Sequence, residues 1–380
     1  MLIAGLFLGG VLFLAGATRG RGSGWGSAGV VTGLLGTAGT AMIAMHALIT
    51  AALAQTETGP AAATMDALDS LGGWLILPLM TAQSLAITLF GLALWRSGTV
   101  HWWVPAATAL VVVVALLPSA WSGPVSLGLA LAAMGYACAA IVRRRAATGW
   151  AEVPTPAHRV WAGAACAVAL LVLSVAKEVL FPGADDPDSA MTAAGSSPVP
   201  FVTEGLMALG IAVLFGGAAA FFAGAVRERG SGLAIAGTVL GCAGAVSIAA
   251  MGVLDFLTAA LGASHAGSAV FGPLGAILFP AFMPLFLVEN LMMVAFAAAL
   301  WRAGTVSWAP LVLAAAFAVV GQIHPTGLVA VGQMLVGLVA VAWLAYGVLR
   351  AQGALAGVVR GRRASGIRTT TPAPTGGALG

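Results

Sequence analysis

Apolar residues in this chain run on; they do not alternate with polar ones. Long stretches rich in Ala, Leu, Val and Gly recur from residue 2 to residue 349, separated by short segments carrying Arg, Asp, Gly and Pro. A hydrocarbon core about 30 Å thick needs roughly 20 apolar residues per helical crossing. Within lipid, backbone groups must find their hydrogen bonds inside the segment, which favours helices. The two-residue alternation of barrel strands is missing. The pattern predicts about eleven helices, over 2–18, 27–54, 71–95, 103–118, 124–143, 159–181, 201–226, 232–261, 270–301, 307–322 and 327–349.

The charged residues between these runs sort into two sets. One holds Arg19 and Arg21, Arg96, Arg143 to Arg145 with Arg159, Arg227 and Arg229, Arg302 and Arg350. The other holds Glu57, Asp66, Asp69, Asp185, Asp186 and Asp188, and no arginine. Positive loops stay in the cytoplasm, so the expectation is a bacterial-type inner-membrane protein with its N-terminus outside and its C-terminus inside. Trp95, Trp102, Trp103, Trp161, Trp301 and Trp308 fall where the inner interface is expected, which suits an amphipathic ring. The first run lacks the positive flank of a signal peptide and reads as a retained helix.

The chain also copies itself. AGATRGRGSG at 15–24 matches AGAVRERGSG at 223–232, and ALWRSGTVHWW at 93–103 matches ALWRAGTVSWA at 299–309. GVVTG at 29–33 aligns with GTVLG at 237–241, ITAALA at 49–54 with LTAALG at 257–262, and Pro78 with Pro284. The expected fold class is therefore an all-α polytopic membrane protein made of two parallel five-helix repeats joined by one extra helix. The expected boundaries are residues 1–150 for the first repeat, 151–200 for the linking helix and an acidic outer loop, and 201–350 for the second repeat. Residues 351–380 form a basic tail with no apolar face to bury, expected to be disordered and cytoplasmic. The hairpin phrases LWRSGTVHWW and LWRAGTVSWA resemble an uncharacterised family of bacterial multi-pass membrane proteins with an L-x-R-S-x-x-V-x-x-W turn. This chain departs from it by carrying two copies and by lacking a Pro-Arg pair before the tryptophan. The family has no assigned activity, so the resemblance implies a membrane hairpin and no site residue.

Composition agrees with a bilayer as solvent. The chain is 60% hydrophobic and 7% charged, with a mean hydropathy of +1.03, whereas soluble domains carry roughly 25% charged residues. A pI near 9.5 comes from arginines at helix ends, so it is a topology signal and not a nucleic-acid surface. Cys138, Cys166 and Cys242 lie singly in apolar runs, and the five histidines lack ligand spacing, so no metal or other cofactor is expected.

Ionisable groups inside a membrane are costly and carry a functional hypothesis by default. Glu289, followed by Asn290, lies in FPAFMPLFLVENLMM beside Pro280 and Pro284, whose rings free backbone carbonyls. Gln83 and Ser84 stand at the corresponding place of the first copy. Glu289 reads either as a binding or proton-accepting group or as a neutral acid bonded to a neighbouring helix. His46 and Asp255, on equivalent helices, either pair across the repeat axis or sit hydrated near the outer interface. Lys177 reads as snorkelling, Glu204 as solvated, and Gln322, His324 and Gln333 as an ordinary outer turn. ADDPDS at 184–189 resembles an acidic metal-diphosphate motif, but is expected in a loop.

Two classes of function follow. The first is a carrier for a small or amphipathic solute, coupled to protons through Glu289, His46 and Asp255, with its site at the repeat interface. The alternatives are a membrane enzyme acting on a lipid or isoprenoid, or a non-transporting partner or immunity protein. The expected partners are the lipid bilayer, a small-molecule or lipid substrate, and a second membrane protein or further copies of the chain.

Overall fold

A computed structural model describes residues 2–18, 22–54, 60–115, 122–148, 155, 157–181, 187–226, 229–265, 289–323 and 327–354. Among these residues there are twelve helices and no strand. They are α1 (Leu2–Ala17), α2 (Ser23–Leu53), α3 (Pro60–Arg96), α4 (Trp103–Ala115), α5 (Ser122–Thr148) and α6 (Ala157–Leu180). Then come α7 (Pro187–Ser196), α8 (Val199–Ala225), α9 (Ser231–Ala263), α10 (Leu291–Arg302), α11 (Ala309–Gly321) and α12 (Gly327–Ala351). Six helices among the described residues are long and apolar enough to cross a membrane: α2, α3 from Ala62 onward, α6, α8, α9 and α12. The architecture is that of a multi-pass helical membrane protein.

Two expectations change. The third helix begins at Pro60 and not near residue 71, because proline is favoured at the first helical position and the following residues support a helix. The segment after α6 is not all loop. Pro187 opens the ten-residue α7, so the PDS of the acidic motif is helical; residues 182–186 lie outside the described residues. Met191 and Ala194 of α7 are buried. A Cβ on Gly262 of α9 would stand 2.6 Å from that of Ala194, so α7 lies flat on the end of α9.

One end of the bundle carries the arginines. Arg159, opening α6, donates to Ala15 O at 3.2 Å, Ser23 O at 2.6 Å and Ser27 Oγ at 2.7 Å, tying α6 to the α1–α2 turn. Arg144 of α5 donates to Ser97 O at 2.9 Å and Thr99 Oγ1 at 2.6 Å. Trp95, Trp102, Trp161, Trp301 and Trp308 belong to the same end and are 40–63% exposed, which places a ring of amphipathic aromatics on the outside.

The twice-used phrases are the working parts of this end. After α3, Gly98 N–H donates to Trp95 O and Thr99 N–H to Leu94 O, both at 2.9 Å, with Gly98 at φ 69°. After α10, Gly304 donates to Trp301 O and Thr305 to Leu300 O, both at 2.9 Å, with Gly304 at φ 71°. Each is a Schellman cap, in which a left-handed residue closes the helix and satisfies its last carbonyls. The other phrase meets the first. Gly22 (φ 94°) and Gly230 (φ 93°) lie so close to Ala93 O and Ala299 O that a Cβ at either glycine would stand 2.5 Å from the oxygen.

Small residues let the helices approach closely, and large ones also face outward. On α9, Gly237, Gly241, Gly244, Ala245 and Gly252 are buried, while Ile235 and Val239 are 66% and 63% exposed. Helices in lipid gain by close backbone approach and not by hiding leucine, which the lipid solvates equally well. Gly205 of α8 and Gly252 of α9 illustrate this: a Cβ on either would stand under 3 Å from the other's carbonyl oxygen.

Candidate functional site

Gly29 and Gly237, from the aligned small-residue pairs, face Phe90 and Phe296, with hypothetical Cβ contacts of 3.2 and 3.1 Å. Farther along, Gly36 of α2 faces Gln83, and Gly244 of α9 faces the backbone of Glu289. Gln83 and Glu289 therefore occupy corresponding places on corresponding helix pairs.

Their chemistry differs. Thr40 Oγ1 donates to Gln83 Oε1 at 3.1 Å, so the first site is satisfied locally. The residue at the place of Thr40 in the second sequence copy is Ile248, which has nothing to donate. Glu289 Oε2 is enclosed and has no hydrogen-bond partner among the described residues. An orphaned buried carboxyl oxygen costs at least what a lost hydrogen bond costs, and such atoms call for a functional account.

Glu289 and Asn290 immediately precede α10 and border a cavity of about 60 Å³. Its polar lining is Glu289, Asn290 and Ser174, whose hydroxyl donates to Leu170 O at 2.9 Å. Ile211 and Phe215 of α8, Ile248 of α9, Phe317 of α11 and Met334 of α12 close the remainder. The volume holds a few waters and not an amphipathic molecule. Gly244, which faces Glu289, is the fourteenth of 33 residues of α9, which puts the carboxylate near mid-helix. Pro280 and Pro284 lie outside the described residues, so the expected kink beside Glu289 does too.

The cavity sits within the second half together with α6; every lining residue comes from Leu170 onward. Gln83 is not part of its lining. The physical reason is α6, which packs against α8 and α12 and supplies a wall that the first half does not contribute.

His46 and Asp255 do not form the expected pair. His46 Nε2 lies 2.8 Å from Asp69 Oδ1 of α3. Asp255 turns to a different group. Lys177 and Glu204 both lie within its electrostatic range. Lys177 Nζ is 2.5 Å from Glu204 Oε1, and their side chains are only 20% and 18% exposed. Lys177 is thus a paired internal cation and not a snorkelling one, and Glu204 is not solvated. Asp255 Oδ2 is buried without a hydrogen-bond partner among the described residues.

Gln333, expected in an outer turn, lies inside α12. It is 6% exposed, and its Nε2 donates to Phe317 O at 3.1 Å. Its amide and that of Asn290 converge on Gly321, where a Cβ would stand 2.6 and 2.5 Å from the two nitrogens. The signal was present: an amide in the middle of the apolar run VAVGQMLVG. No group of three or more His, Cys, Asp or Glu suited to a metal occurs among the described residues. Comparison with protein-family models, with curated proteins and with solved structures returned no match in any of the three.

Proposed function

We propose that this chain is an integral membrane carrier of the bacterial inner-membrane type, for a small solute and coupled to protons. In this reading eleven segments cross the bilayer as two parallel five-helix copies joined by α6, and Glu289 is the group that binds the proton and faces the solute. The arginine-bearing end is cytoplasmic, and the N-terminus lies outside. The matched Schellman caps, the matched Gly22–Ala93 and Gly230–Ala299 contacts and the corresponding Gln83 and Glu289 support the duplication. The short α7 lies on the bundle end and leaves the parity of crossings unchanged.

The observation that carries the proposal is the enclosed, partnerless Glu289 Oε2 beside a small cavity near mid-helix. An ionisable group retained at such a place is costly on a purely structural account. A cavity with room for waters only belongs to a closed state of an alternating cycle. The lining holds one carboxyl, two side chains that form hydrogen bonds and no nucleophile beyond a serine already bonded to its own helix, which gives little to an enzyme.

The test uses purified protein in proteoliposomes under an imposed pH gradient, with a defined mixture of small organic acids, amines and sugars outside. Uptake is read by mass spectrometry and internal pH by a trapped dye. The wild type is expected to accumulate at least one compound in a gradient-dependent way, and Glu289→Gln to lose that accumulation. Identical uptake and identical internal pH in the two proteins would overturn the proposal.

A further inference from the structure

Three helices that wall the Glu289 cavity carry ionisable residues farther along the same face. On α6, Ser174 lines the cavity and Lys177 follows three residues later. On α9, Ile248 lines it and Asp255 follows seven residues later. On α8, which runs the opposite way, Ile211 lines it and Glu204 precedes it by seven. Spacings of three and seven residues return to one helix face, so each residue stands over the cavity wall. With a rise of 1.5 Å per residue, the offsets amount to roughly 5–10 Å, all toward the arginine-poor end.

The charge count leaves one place open. Lys177 is paired with Glu204 at 2.5 Å and also faces Asp255, so one cation is shared by two carboxylates. Glu178 of α6 adds another carboxylate near Lys177. On the helices that pack against α9 from the other side, His46 and Asp69 engage each other, and Asp66 is exposed. The cluster therefore accommodates further positive charge. A metal ion would want several oxygen ligands around it, and the described residues offer no such grouping. A proton needs one oxygen.

The orphaned atoms mark the route. Ser247 Oγ, Asp255 Oδ2 and Glu289 Oε2 are buried polar atoms without a partner among the described residues; two belong to α9 and the third adjoins it through Gly244. We infer that Lys177, Glu204 and Asp255 form a proton gate on the arginine-poor side of the bundle, with Asp255 passing protons between the outer water and Glu289. A hydronium ion gives its proton to Asp255 Oδ2 and becomes water. The acid then gives that proton, through water, to Glu289 Oε2, and Asp255 returns to the carboxylate. The Lys177–Glu204 pair holds the gate's shape and keeps a fixed positive charge beside Asp255, which drives the proton onward. This rests on Glu289 being the proton-binding group, but not on any solute being carried.

The experiment is time-resolved infrared difference spectroscopy after a pH jump, on the full chain in lipid nanodiscs. The carboxylic C=O band lost in Glu289→Gln identifies Glu289. In Asp255→Asn that band is expected to reach the wild-type amplitude at least tenfold more slowly, and Asp255→Glu is expected to restore most of the rate. Equal rates in wild type and Asp255→Asn overturn the gate. So does a band at Asp255 that shifts with sodium chloride at constant pH, since that marks a sodium site. Loss of the Glu289 band in Asp255→Asn, in protein that elutes and unfolds as wild type does, makes Asp255 a structural support for Glu289 and also overturns it. Proteoliposomes that carry no solute, with the tenfold slowing intact, defeat the carrier reading and leave the gate standing.

Discussion

Gly22 rests against the carbonyl oxygen of Ala93, in a left-handed conformation that admits no side chain. The contact joins the two phrases the chain uses twice, and Gly230 repeats it on Ala299. Gly22→Ala and Gly230→Ala must each accept both an unfavourable φ and a steric clash with backbone. The expected cost is about 1–3 kcal/mol for each, read as a lowered midpoint of thermal unfolding in detergent. Gly98→Ala separates the two effects. Its φ is 69° but nothing lies within 4 Å of its hypothetical Cβ, so it should lose only about 1 kcal/mol.

Gly321→Ala should disturb the site without touching a charge. The new methyl would enter the space of the Asn290 and Gln333 amides, and overpacking of this kind costs about 1–3 kcal/mol. Gln333→Leu removes the donor to Phe317 O and should cost about 1 kcal/mol. Chemical unfolding of both variants, alone and combined, checks the numbers. Because the two residues touch, the double variant should depart from additivity.

Lys177→Met leaves two carboxylates facing one another in a dry setting. Breaking a buried pair by removing one partner costs about 3–5 kcal/mol, and an expression or stability assay should show the loss. Lys177→Met combined with Glu204→Leu should recover most of it, since the charge left unpaired by the first change is removed by the second. If the double variant is as unstable as the single one, the pair does not act as a closed unit.

His46 and Asp69 make the contrasting case. Asp69 is 60% exposed, and the pair is 2.8 Å apart. Such pairs are worth about 0–1 kcal/mol, so a double-mutant cycle with alanine at both positions should give a coupling energy of that size that shrinks as salt rises.

The helices were legible because a bilayer imposes one strong rule, long apolar runs without unpaired backbone, and the sequence meets it. Caps were legible as repeated letters but not as geometry: Gly98 and Gly304 were seen, while their role in closing a Schellman cap needed φ angles and hydrogen bonds. Glu289 was legible by cost. Its asymmetry with Gln83 depends on Thr40 reaching Gln83 from another helix, while Ile248 stands at the aligned position beside Glu289, a difference that no single stretch announces. The Lys177–Glu204–Asp255 group was missed because its members lie on three helices, and each alone resembles an ordinary interfacial charge. Gln333 was read as part of a turn, although it sits a turn and a half inside α12.

The helix α6 stands outside the matched stretches, yet it supplies Ser174 and Lys177. A doubled scaffold would ordinarily offer two equal seats. With α6 walling only one of them, titration should find a single proton-linked site per chain, and random substitution should be borne unequally. Changes around Gln83 would be forgiven where those around Glu289 are not, because the cavity borders Glu289 and not Gln83.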